Sequence, residues 1–219
     1  MSGRRLPLWI AVALIAATGL AVGGCGGGDD AADAGSTAAA PASSSFEAED
    51  AVIALSDLPA GWAVEPDEDD DGNDEFCGHD EDIPSLTGVE AGGKAEARFA
   101  EGGTVPALFH FVGAYAPGDA ETSFAEFEEI VTDCTSYESN GTTFKVAQVS
   151  FPQQGDESVP LLVSAEVEGF NVSFYFVFVR VADGITVVGY GGLAPDVAEV
   201  EKYVGLAVDK LELAQGITS

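Results

Sequence analysis

The residues with the most obvious chemical potential form a short acidic run, Asp67-Glu68-Asp69-Asp70-Asp71-Gly72. Asp67, Asp69 and Asp71 before a glycine match the opening half of an EF-hand loop, where alternating carboxylates wrap one Ca²⁺ and the glycine allows the bend. The twelfth position, where a bidentate Glu belongs, is Gly78. The run therefore reads as a solvated acidic loop with diffuse cation attraction, and those three aspartates are the residues to hold any ordered ion. His79 and His110 are the chain's two histidines. His79 stands beside Asp80 and Asp82, a local three-residue cluster of a kind that seldom ligates a metal without a second distant His; His110 sits in an alternating apolar run and reads as a packed or edge residue. The nucleophile-elbow pattern G-x-S-x-G does not occur. Gly92-Gly93 and Gly191-Gly192 lack the strand-to-helix setting of a phosphate loop. Neither a catalytic residue nor a cofactor is expected.

A different chemistry is written at the amino terminus. Arg4 and Arg5 precede an apolar run from Leu6 to Val22, followed by Gly23-Gly24-Cys25. Basic residues, an apolar stretch and small residues make a secretory leader, and the run is short for a membrane-spanning helix. Val22-Gly23-Gly24-Cys25 matches a bacterial lipobox, in which cleavage falls before a cysteine whose thiol is alkylated by diacylglycerol. Residues 1–24 are thus expected to be a signal peptide and Cys25 the lipidated first residue. Residues 25–45 are small and polar, a tether with a root-mean-square reach of ~25 Å. With Cys25 assigned to lipid, Cys77 and Cys134 remain in an exported domain, where a disulfide is the expected state. Closing that loop would stabilise the fold by about 4 kcal/mol in the chain-entropy model.

The charge balance limits partners. Eight Lys and Arg face 38 Asp and Glu, a formal net charge of −30. Phosphate recognition needs clustered cations, so nucleic acid is excluded as a partner. Anionic lipid repels the same surface, so membrane attachment must come from acyl chains, each buried CH₂ contributing ~0.8 kcal/mol.

Residues 46–217 are expected to form one α+β domain. Strand-like runs at 94–99, 107–116, 144–149, 161–167, 172–181 and 185–190 predict an antiparallel sheet of about five to six strands. Asp183-Gly184 reads as the two-residue turn of a hairpin. Residues 172–181 are apolar at nearly every position, which predicts a central strand covered on both faces. Two main helices pack this sheet. One carries Phe124, Phe127, Val131 and Cys134 on its apolar side, so the disulfide would fasten it to the segment around Cys77. The other, after Pro195, carries Val197, Val200, Val204, Ala207, Val208 and Leu211. Trp62, Phe109, Phe111, Phe174 and Phe176 read as core, with an apolar ligand cleft as the alternative.

The lipobox, the tether, L-S-D-L-P-A-G-W, a cysteine in F-C-G, F-x-x-F-x-x-I-V-x-x-C and F-V-F-V-R-V-A-D-G together resemble exported actinobacterial lipoproteins. They are similar to PknH-like extracellular sensor domains and, more distantly, to LpqN-type lipoproteins of PsbP-like fold, over Ala51 to about Leu213. The resemblance implies a non-enzymatic surface domain with a cleft for a ligand or partner. The expected function is a lipid-anchored, extracytoplasmic, sensor-like domain that binds an envelope ligand or protein partner. A carrier of lipid or apolar molecules is the alternative, and an envelope hydrolase the second alternative.

Overall fold

In a computed structural model of the chain, residues 45–65, 76–77, 91–102, 105–139, 141–167 and 169–217 are described. The elements run α1 (Ala48–Ala51), a 3₁₀ turn (Leu55–Asp57), β1 (Trp62–Val64), β2 (Gly93–Glu101), β3 (Ala107–Ala114), α2 (Asp119–Asp133), β4 (Ser136–Ser139), β5 (Thr142–Gln148), β6 (Glu157–Val167), β7 (Phe170–Val181), β8 (Gly184–Gly192) and α3 (Val197–Ala214). The strands form one sheet in the order β1-β2-β3-β8-β7-β6-β5-β4, antiparallel throughout.

The α+β class is as expected, but the sheet has eight strands where the sequence predicts five or six, and α1 joins the two main helices. Both additional strands are short edges. β1 is three residues long and pairs only with the end of β2. β4 is Ser-Tyr-Glu-Ser, with no apolar alternation to mark it, and extends the sheet by pairing with β5.

Strand alternation divides the apolar residues between two layers. Val177, Val179 and Val181 of β7 join Leu108, Val112, Val188 and Tyr190 beneath α1 and α3. Phe176 and Phe178 join Phe109, Phe111, Leu161, Val163 and Val187 on the opposite face, under α2. From Phe176 to Val179 β7 is buried on both sides and so has no polar face there, whereas Phe170 to Tyr175 are exposed or half-buried. α3 starts where Asp196 accepts a hydrogen bond from the Ala198 N–H and turns Val200, Val204, Ala207, Val208 and Leu211 inward. Val197 lies outside that stripe and is exposed.

The β7–β8 connection departs from expectation by one position. Val181 pairs with Gly184, so the turn is Ala182-Asp183, and Ala182 holds the positive φ, +46°. Gly184 is required for space instead. A Cβ there would come within 2.7 Å of the Leu211 side chain on α3 and 3.0 Å of Phe46.

Candidate functional site

The disulfide predicted from the cysteine count is present between Cys77 and Cys134, with Cα atoms 5.5 Å apart across 57 residues of sequence. α2 positions it. Phe124, Phe127 and Val131 bury one side of that helix, and Phe127 packs 4.0 Å from Phe178 between ring centroids. Cys134 follows the last turn with extended φ/ψ, so its side chain leaves the helix toward Cys77. On the other side Phe76 is buried, its ring 5.3 Å from Tyr137, which stacks on Phe144 at 5.0 Å. The cross-link and the ring stack thus pin the Phe76-Cys77 segment to both α2 and the β4–β5 hairpin.

Beside the disulfide lies an open depression of about 380 Å³, lined by Glu129, Ile130, Asp133, Thr135 and Ser136 with the two half-cystines. Two carboxylates at the negative end of a helix give it a negative potential. Among the described residues no group of three His, Cys, Asp or Glu side chains is arranged to hold a metal ion. Cys25, Asp67, Asp69, Asp71, His79, Asp80 and Asp82 lie outside the described residues.

His110 is fully buried on β3. Its Nδ1 accepts the Ile53 backbone N–H at 2.8 Å, and Nε2 stands 2.7 Å from the Thr186 hydroxyl. Acceptance from a backbone N–H requires a bare Nδ1, so the proton sits on Nε2 and is donated to Thr186. Thr186 in turn donates to the Phe111 carbonyl at 3.3 Å. Burial, with the Lys210 charge as the smaller contribution, pushes the imidazole down to about 3, so it is neutral at physiological pH. Both nitrogens are committed inside the fold. Of the two readings, packed or edge, the packed one holds, because β3 lies between β2 and β8.

The aromatic residues considered as a cleft lie on different layers. Phe109, Phe111, Phe174 and Phe176 line the α2 side, where Phe176 faces Gly189 and Phe174 faces Gly191 across the β7–β8 ladder. A Cβ at Gly189 would stand 2.7 Å from the Phe176 ring, so glycine is what lets the ring lie over the neighbouring strand. Trp62 is on the α3 side, 6.5 Å from Tyr190 and 5.7 Å from Tyr203. Tyr190 is pushed up to about 12, first by burial and then by Tyr203 and nearby carboxylates. Tyr203 carries the Lys202 ammonium 4.8 Å from its ring centre. The sequence reading missed Tyr190 and Tyr203 as partners of Trp62. Tyr203 lies at helical spacing between Val200 and Ala207, and that position was the available signal.

No family model matches the chain, and no curated protein matches it. Among solved structures it is similar to the extracellular domain of PknH from Mycobacterium tuberculosis, with a TM-score of 0.41 and 10% identity. The match covers 55% of this chain and 64% of that one, less than two thirds of the neighbour's length.

Proposed function

We propose that the chain is a lipid-anchored extracytoplasmic lipoprotein whose domain is a non-catalytic, sensor-like module for an envelope ligand or protein partner. The observation that carries this reading is the Cys77–Cys134 cross-link. A structural disulfide belongs to an oxidising compartment, which agrees with the leader at residues 1–24. It also leaves Cys25, directly after Gly23-Gly24, as the remaining thiol of three. Among the described residues no helix is long and apolar enough to cross a membrane. The anchor in this reading is acyl chain on Cys25, because the run from Leu6 to Val22 is short for a span and ends in the lipobox. Loss of the leader removes Arg4 and Arg5 and takes the formal charge from −30 to −32, which holds the domain off anionic headgroups. His110 supports the non-catalytic reading to the extent that, in the closed fold, its two nitrogens are occupied by Ile53 and Thr186. The carrier alternative needs room between sheet and helix; beneath α3 that room is filled by Val200, Val204, Val208 and Leu211.

Expression in an actinobacterial host tests the anchor. The mature chain should begin at Cys25 with the mass of a diacylglycerol thioether, and Cys25→Ser should accumulate as unprocessed precursor. Normal processing and acylation of the Cys25→Ser chain would overturn the lipobox reading. Turnover on a broad hydrolase panel, abolished by one point substitution, would overturn the non-catalytic reading.

A further inference from the structure

The segment that enters the domain from the tether is held to the sheet by a bond that one proton can break. Phe46, Ala48, Ala51 and Ile53 are buried against the α3 layer, making Phe46–Ile53 a strap across α3, β2 and β3. Its backbone is tied to the sheet by the Ile53 N–H donating to His110 Nδ1. A second proton on the imidazole would land on Nδ1 and turn this acceptor into a donor facing another donor. Nε2 offers no relief, because it already donates to Thr186, whose own hydroxyl proton is directed to Phe111.

We propose that Phe46–Ile53 is a proton-released strap: when the strap lifts, His110 meets solvent, in mild acid it is then protonated on Nδ1, the Ile53 bond cannot re-form, and the open state gains population while the sheet stays folded.

Nδ1 faces the strap and Nε2 faces the sheet, so lifting the strap is the shortest route by which Nδ1 meets water. β3 is meanwhile held on both sides, to β2 and to β8, by eight register pairs each. The charged surroundings favour the same direction. Lys210 on α3 opposes a second positive charge at His110, and it is paired at 2.8 Å with Asp57 of the 3₁₀ turn. Asp57 is held below its ordinary value, first by that bond to Lys210 and then by the Ala54 N–H, so the pair stays ionised through mild acid. Glu47, the N-cap of α1, and Glu49 and Asp50 within it are exposed. The neighbours of His110 across the ladders, Ala97 on β2 and Val188 on β8, are uncharged.

The sign follows from linkage. The folded imidazole is held below its unfolded value, so the strap's attachment is at full strength above about 6.5 and weakens as pH falls below it. With the released imidazole titrating normally, opening rises about tenfold per pH unit, or about a hundredfold by pH 4.5.

Hydrogen exchange on the purified full chain, corrected for the intrinsic rate at each pH, reads this out. Amides of 47–53 should lose about a hundredfold in protection between pH 7 and 4.5, while those of β3 and β8 keep theirs. His110→Asn retains an acceptor at the Nδ1 position and has no proton to gain, so its strap protection should be flat with pH. If that variant does not fold, ¹⁵N shifts of the wild-type ring serve instead, with imidazolium expected to appear together with strap exchange. Strap protection independent of pH in the wild type, or strap and sheet losing protection together, would overturn the proposal.

Discussion

At the scale of single residues, Thr186 is as important as the histidine it faces. Its hydroxyl accepts from His110 and donates to Phe111, so one buried atom satisfies a ring N–H and a strand carbonyl. Thr186→Val keeps the shape and leaves the ring N–H without its acceptor. Such an orphan costs about 1–3 kcal/mol, and urea unfolding should record a loss of that size. An unchanged midpoint would mean that the imidazole finds another acceptor. The histidine's type and its alternating neighbours were readable from the sequence, and they point correctly to a packed residue. Its partners were not, because Ile53 and Thr186 stand 57 and 76 residues away, and only the fold brings them together.

At the scale of elements, periodicity identified what was buried and overlooked what was not. β7, α2 and α3 declare themselves by apolar spacing, whereas β1 and β4 contribute few buried residues and exist through pairing with an already formed edge. The β7–β8 turn shows a second limit. A glycine after an aspartate has two explanations, positive φ or lack of room, and here Leu211 and Phe46 press on Gly184 while Ala182 turns the chain. The same contrast yields a paired prediction. Gly205 is in the interior of α3 with nothing within 4 Å of an added Cβ, so Gly205→Ala should stabilise by about 0.5–1 kcal/mol through helix propensity. Gly189→Ala drives a methyl group into the Phe176 ring and should cost about 1–3 kcal/mol. Thermal melts of the two variants should therefore move in opposite directions. A Gly189→Ala midpoint at or above wild type would show that the ring swings aside freely.

At the scale of the whole molecule, the dominant feature is repulsion among 38 acidic residues opposed by eight basic ones. Arg180 binds Asp156 and Glu157 where β6 begins, Lys210 binds Asp57, Lys202 binds Glu199, and Arg98 lies 3.5 Å from Glu96. Partly exposed pairs of this kind contribute about 0–1 kcal/mol each. Added salt weakens them, and it also screens the far more numerous like-charge interactions beyond the Debye length of ~10 Å at 0.1 M. Repulsion has the larger number of terms, so screening should win. The urea midpoint at pH 7 should rise as sodium chloride goes from 10 to 150 mM, and a fall would mean that the few ion pairs outweigh the acidic surface. The same balance separates two effects of acid. Free carboxylates titrate near 4, so between about pH 6.5 and 5 the repulsion is little changed and strap release should dominate. Below that window protonation of carboxylates relieves repulsion and opposes further loss. Stability should therefore begin to fall just under pH 6.5, fall most steeply about one unit lower, and flatten near 4.5. The difference between wild type and His110→Asn isolates the histidine's share, because the acidic surface is common to both.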